Sequence, residues 1–158
     1  MSTELKWTMW QSVDQPTSYE GPAVYRIRLV VHDRPHAIPR FLGPDTEGIL
    51  SIGKTGSMKK RRSQFKRGLA KGRGHSEANL LHLIRDHSYL LRILPEHQYQ
   101  YCFAIVPDIE QASSSEEELI KDYFRNYGEV PPLNSAIPNR YPQSGWSSPT
   151  PGTDNGTA

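Results

Sequence analysis

The chain has 158 residues, enough for one domain with one core, and its 35% hydrophobic content is modest but sufficient once a polar tail is set aside. A net charge of +2 excludes a protein that is strongly basic or acidic throughout, and a lone cysteine, Cys102, excludes a fold resting on an internal disulfide. The first residues, MSTELKWTMWQS, lack the uninterrupted apolar core of a signal peptide, and no run approaches membrane-spanning length, so the sequence reads as a soluble, cytoplasmic protein with no membrane partner.

Residues 1–20 carry Trp7, Trp10 and Tyr19 among polar neighbours and read as an N-terminal arm that docks aromatic groups on the domain that follows, 21–141. From Ala23 to Val31 the pattern alternates. Ala23, Tyr25, Ile27, Leu29 and Val31 face one way, and Arg26 and Arg28 face the other with Val24 and Val30, which predicts a half-buried strand with Tyr25 on its more apolar face. His32 to Glu47 is rich in Pro and Gly and reads as a long loop before a second strand, Ile49 to Ile52.

A Gly-Lys-Thr turn then leads into a basic helix capped by Ser57. Met58, Phe65 and Leu69 fall on one face at roughly 100° per residue, and Arg61 and Arg62 flank that same face. A core-facing stripe has no need of two guanidinium groups. Nine basic residues lie between Lys54 and Arg73 (Lys54, Lys59, Lys60, Arg61, Arg62, Lys66, Arg67, Lys71 and Arg73), and no acid intervenes between Glu47 and Glu77.

The run Lys71-Gly72-Arg73-Gly74 ends this helix, and Ser76 starts another whose buried side is expected to hold Leu80, Leu81, Leu83 and Ile84, continued by Leu90 and Leu91. His75, His82 and His87 have a spacing that permits a metal site. No matching cysteines or HExxH arrangement accompany them, so surface or satisfied histidines are the better reading. Tyr99 to Val106 predicts a third strand, with Tyr99, Tyr101, Phe103 and Ile105 on one face, and Pro107 stops it.

An acidic helix follows, with Ser113, Ser114 and Ser115 as cap candidates and glutamates in its first turn. Its buried face is Leu119, Ile120, Tyr123, Phe124 and Tyr127. Counting back by about 100° per residue puts Glu116 near the centre of that face, Glu117 at its edge and Glu118 on the far side. An inward carboxylate is costly unless something pairs with it. The helix ends near Gly128. Beyond Pro138 the composition turns to Pro, Ser, Gly, Thr and Asn, and residues 142–158 read as a flexible tail. These elements predict an α+β fold: a small central antiparallel β-sheet of three or more strands flanked by α-helices.

Residues 108–129 carry seven acids against Lys121 and Arg125, so a basic element and an acidic one stand apart in the chain. That division suggests a phosphate site beside a cation site, and its rival is a pair of solvated helix faces. The stretch from Gly48 through Gly53, Lys54 and Thr55 also spells a phosphate-binding P-loop, GxxxxGK[ST]. Such a loop must be an exposed nest of backbone N–H groups after a strand, whereas Ile49-Leu50-Ser51-Ile52 is itself the apolar strand.

Taken in order, Val24-Tyr25, Ser51-Ile52-Gly53-Lys54-Thr55, Arg61, Glu116 with Leu119-Ile120-Lys121, and Pro132-Leu133-Asn134 resemble the GIY-YIG nuclease domain from about Gly21 to Ser135. Ala23-Val24-Tyr25 stands for its first motif and Ser51-Ile52-Gly53 for its second. The resemblance selects Arg61, eight residues after the glycine, and Glu116, before the Leu-Ile pair. Three departures accompany it: Ser51 replaces a tyrosine, Phe65 stands where members often carry His or Tyr, and the link from Tyr25 to Ser51 exceeds the usual short hairpin.

The resemblance implies a Mg²⁺-dependent (or Mn²⁺-dependent) DNA endonuclease with a catalytic set of Tyr25, Arg61, Glu116, Lys54 and Asn134. Tyr25 would take a water's proton, with Lys54, Arg61 or the metal favouring its phenolate. Arg61 would hold the phosphate with its planar fork, Glu116 would ligate the metal, and Asn134 would hold the site or the backbone. Lys59, Lys60, Arg62, Lys66, Arg67, Lys71 and Arg73 would contact DNA phosphates. One site cuts one strand, so double-strand cleavage would need a homodimer or two encounters. The leading alternative is a non-catalytic nucleic-acid-binding domain with a degenerate site, and a P-loop NTPase comes third.

Overall fold

The computed structural model describes residues 4–87 and 97–137. The fold is α+β, with element order β1 (Gln11–Ser12), β2 (Ala23–Val31), β3 (Arg34–Pro35), β4 (Ile49–Thr55), α1 (Met58–Lys71), α2 (Ser76–Ile84), β5 (His97–Ile105) and α3 (Ile109–Tyr127). β2 is the spine of a five-stranded antiparallel sheet: β5 lies along one side of it, with β1 beyond, and β3 and β4 share the other side. Leu90, Leu91 and the tail 142–158 lie outside the described residues.

β2, expected to be half-buried, is instead buried on both faces, with Val24 and Val30 as inaccessible as Ala23. Ala23, Tyr25 and Ile27 join Met58 and Phe65 of α1 and Ala78 and Leu81 of α2 in one cluster, while Ile49 and Ile52 of β4 meet Ile120 and Tyr123 of α3 in another. Two helices thus cover one face of the sheet and one helix covers the other. A register shift between Ile27 and Arg28 lets Ile49 share the α3 face with Ile52, while Ser51, paired with Ile27, keeps the regular alternation that faces α1 and α2.

Residues 4–20 are built into the sheet. Trp7 bridges to Ala104, β1 pairs with β5, and the Arg26 and Arg28 guanidinium groups lie 4.1 Å and 4.2 Å above the Trp7 and Trp10 rings. Cation–π contact explains why two arginines are tolerated under a helix-covered face. The loop from His32 to Glu47 is pinned by Asp45, whose buried carboxylate accepts from the Glu47 and Ile49 amides and from the Tyr123 hydroxyl.

Two expectations are corrected here. The acidic helix begins at Ile109 and is capped by Asp108, which accepts from the Gln111 amide at 2.8 Å; Ser113 and Ser114 are internal, their hydroxyls donating back to the Ile109 and Glu110 carbonyls. Glu116 to Glu118 therefore lie beyond the first turn, where the helix N-terminus gives them little. In α2 only Ala78 and Leu81 are buried, and Leu80, Leu83 and Ile84 are exposed. The contact with α1 is close at Gly68, where an added Cβ would press on Ala78. No helix among the described residues is long and apolar enough to cross a membrane.

A candidate active site around the edge of the sheet

Apart from β2, no strand among the described residues pairs with β4, and successive β4 residues reach around its free edge to opposite faces of the sheet. Gly53 sits opposite Tyr25 on the face toward α1 and α2. A Cβ there would overlap the Tyr25 ring, so glycine is what allows the phenol to lie flat against the strand. Lys54, next in the strand, turns toward α3, where its ammonium is 2.9 Å from Ser113 Oγ and 3.3 Å from Glu116 Oε2. Asn134 covers the edge between them: its Oδ1 accepts from the Ile52 amide at 3.0 Å and its Nδ2 donates to the Ile52 carbonyl at 2.8 Å.

Behind Gly53, Tyr25 and Arg61 line an internal void of ≈ 10 Å³ together with Phe65 and His75. Arg61 is half-buried and its Nε has no hydrogen-bond partner among the described residues. On the outside, a cleft of ≈ 370 Å³ is lined by Glu77, Glu116, Leu133, Asn134 and Ile137. Four of the five predicted catalytic residues, Tyr25, Lys54, Arg61 and Asn134, thus cluster on or behind β4, and α3 brings the fifth, Glu116, to Lys54.

Glu116 is less deeply buried than its helical phase predicts. Its neighbour Glu117 is buried and held at 2.6 Å by Lys121 one turn on, whereas Glu118 is exposed. Glu116 nonetheless titrates abnormally. Burial, and then the charge of Glu77, push its carboxyl up to about 7 against the opposing pull of Arg61 and with Lys54 nearby. The expectation that local cations favour the Tyr25 phenolate is reversed: burial and the charges of Glu77 and Glu116 raise the phenol's pKa far above its ordinary value, and Arg61 offsets only part of this.

Glu77 is the site residue that sequence reasoning missed. Its Oε1 accepts from the Ser51 hydroxyl at 3.3 Å, and its Oε2 accepts from the Ser76 hydroxyl at 3.2 Å and lies 2.7 Å from His75 Nδ1. The His75 contact is at ion-pair distance without the alignment of a hydrogen bond, and the imidazole is wholly buried with its ring edge-on to Phe65 at 5.2 Å. Burial pushes Glu77 up, but the His75 ring, the backbone amide of Glu77 itself and the Ser76 hydroxyl together outweigh it and hold the carboxyl below its ordinary range. The only hint in the sequence is that Glu77 is the first acid after the basic run. His82, by contrast, is satisfied by the Leu69 carbonyl at 2.8 Å.

A divalent cation fits this donor set in a limited way. Among the described residues there is no group of three His, Cys, Asp or Glu able to cage a metal. A single carboxylate that is costly to ionise suits a hydrated Mg²⁺ whose other ligands are water and substrate.

The basic helix divides into two sets. Arg62 donates to the Val13 and Asp14 carbonyls at 2.9 Å and 2.7 Å, Lys66 pairs with Asp14 and Lys59 with Glu20, so these three fasten the chain before β2. Lys60, Arg67, Lys71 and Arg73 are exposed, and their side chains make no hydrogen bond or ion pair among the described residues. The Gly48 to Thr55 stretch forms no phosphate loop, because Ile49–Thr55 is strand throughout and pairs antiparallel to β2. No family model, curated protein or solved structure matches the chain.

Proposed function

We propose that the protein is a Mg²⁺-dependent DNA endonuclease of GIY-YIG type that hydrolyses phosphodiester bonds. The observation that carries this reading is the convergence around β4 of residues from five separate parts of the chain: Tyr25, Lys54, Arg61, Glu116 and Asn134. They are the residues that the ordered motifs single out in the sequence, and a structural core has no use for a lysine, an arginine and a half-buried glutamate in one place.

In this reading Arg61 offers its fork to the scissile phosphate, and the exposed Lys60, Arg67, Lys71 and Arg73 draw in the DNA backbone. Glu116 would hold Mg²⁺, which when bound neutralises charge developing on the phosphoryl and leaving oxygens. Lys54 keeps the Glu116 carboxylate compensated before the metal arrives. Asn134 holds β4 in register, and Tyr25 stays a neutral phenol packed behind it.

The test is plasmid nicking by wild type and Arg61→Ala, in Mg²⁺ and in EDTA. Cutting that needs both the metal and Arg61 supports the nuclease. Salt-sensitive DNA binding without cutting under any condition supports the second reading, a non-catalytic binding domain, which the burial of Tyr25 favours.

A further inference from the structure

We infer that Glu77 is the catalytic base of this site: it takes the proton of the attacking water, and His75 and Ser51 are the positioning residues that hold its carboxylate. The inference rests on the nuclease reading above and gives the base role to a residue outside the motifs.

Access separates the two candidates. A general base must reach the water directly or through one intervening water. Tyr25 is 3% exposed and lines the ≈ 10 Å³ void behind β4, room for about one water, whereas the Glu77 side chain is 16% exposed and lines the open cleft beside Glu116. Ionisation points the same way. Even at an ordinary pKa of roughly 10 only about one phenol in a thousand is ionised at pH 7, and the surroundings of Tyr25 lower that fraction.

The two substitutions in the motifs converge on this carboxylate. Ser51, standing where a tyrosine is expected, donates its hydroxyl to Glu77 Oε1. Phe65, standing where His or Tyr is expected, packs edge-on against His75, whose Nδ1 lies against Glu77 Oε2. An imidazole with no exposed surface cannot meet substrate, but it can fix a carboxylate. The titratable groups around Glu77 are His75 before its helix, Tyr25 on β2 and Glu116 on α3, with Arg61 of α1 acting on the last two.

The step balances without a further reactant. The water oxygen bonds to phosphorus as its proton passes to Glu77, the bond from phosphorus to the 3′ oxygen breaks, and that oxygen takes a proton from solvent in the cleft. Glu77 then returns its proton to solvent.

The experiment compares single-turnover nicking by wild type, Glu77→Gln, Glu77→Ala, Tyr25→Phe and His75→Gln at saturating Mg²⁺, with circular dichroism as a folding check. Glu77→Gln is expected to lose 100-fold or more in rate with DNA affinity unchanged, and Tyr25→Phe less than tenfold. Formate is expected to restore part of the Glu77→Ala rate, which a purely structural glutamate would not allow and which keeps the test informative if Glu77→Gln folds poorly. His75→Gln should move the acid limb of the rate profile to higher pH. A wild-type rate in Glu77→Gln, or a loss in Tyr25→Phe that formate does not mirror in Glu77→Ala, overturns the inference and leaves the nuclease standing. A wild type that cuts no DNA overturns both.

Discussion

The carboxamide of Asn134 pairs with both backbone polar groups of Ile52, accepting from the amide at 3.0 Å and donating to the carbonyl at 2.8 Å, so one side chain stands in for a missing neighbour strand. The adjacent backbone repeats the contact, with the Leu133 amide donating to the Leu50 carbonyl. Asn134→Ala leaves both Ile52 groups to water at the rim of the cleft. The expected cost is about 1–3 kcal/mol in urea unfolding, together with a loss of nicking from disorder in β4. Unchanged stability would remove Asn134 from the framework.

Gly53→Ala tests the face of β4 toward α1. The new methyl overlaps the Tyr25 ring, which lies in the core with Ile27, Met58 and Phe65 and cannot swing out. Overpacking of this kind costs about 1–3 kcal/mol, and thermal unfolding should read it as a lower Tm. Gly56→Ala meets open space and is the control expected to change little.

Much of this architecture was legible in the sequence because each signal was local. The alternation from Ala23 to Val31, the Ser57 cap whose hydroxyl accepts from the Lys60 amide, and the left-handed Gly72 and Gly128 at helix ends all follow from residues within a turn of one another. The cap of α3 was misplaced because three serines outweighed the single Asp108 in the reading, although a carboxylate after a strand-ending proline is the stronger start. Glu77 was illegible for a different reason. Ser51 and Glu116 are remote from it in sequence, and strand alternation gives the face of Ser51 without saying which α2 side chain it meets there. The exposure of Leu80, Leu83 and Ile84 was equally hidden, since a Leu-rich helix reads as buried until the face that it turns to α1 is known.

Glu116→Gln and Glu118→Gln separate a site carboxylate from a solvated one on the same helix. Glu116 faces Lys54 and the cleft, and Glu118 is exposed and only 3.9 Å from Lys121 at its nearest. Glu116→Gln is expected to abolish cutting while DNA binding persists, and Glu118→Gln to change little. Equal losses in a paired nicking and gel-shift experiment would sink the assignment.

The same carboxylate predicts a pH dependence of stability with a defined sign. The folded-state pKa of Glu116, about 7, lies above the ordinary carboxyl value of 4.5, so between those values the native state binds more protons than the unfolded chain. Stability from this group therefore falls as pH rises from 4.5 to 7, by up to about 3 kcal/mol at ~1.4 kcal/mol per unit. Glu77 acts oppositely and elsewhere: its lowered pKa contributes stability that is lost as pH falls below its ordinary range. Chemical denaturation across pH 4.5–7 should show the downward slope in wild type and lose it in Glu116→Gln.

Salt dependence of DNA binding distinguishes the two sets of basic residues. A lysine or arginine that neutralises a phosphate releases counterions, so removing it should reduce the slope of log K against log salt by about 0.9 for duplex DNA. Lys60, Arg67, Lys71 and Arg73 are exposed and make no side-chain hydrogen bond or ion pair among the described residues, and alanine at each is expected to lower the slope by about that amount with no change in Tm. Arg62 is already committed to the Val13 and Asp14 carbonyls. Arg62→Ala should leave the slope unchanged and instead cost about 1–3 kcal/mol, because it strips a charged donor from two carbonyls of the chain between β1 and β2. Fluorescence anisotropy between 50 and 200 mM salt, run beside thermal melts, reads both effects. A lowered slope in Arg62→Ala at unchanged Tm would place that guanidinium on DNA and take it away from the arm.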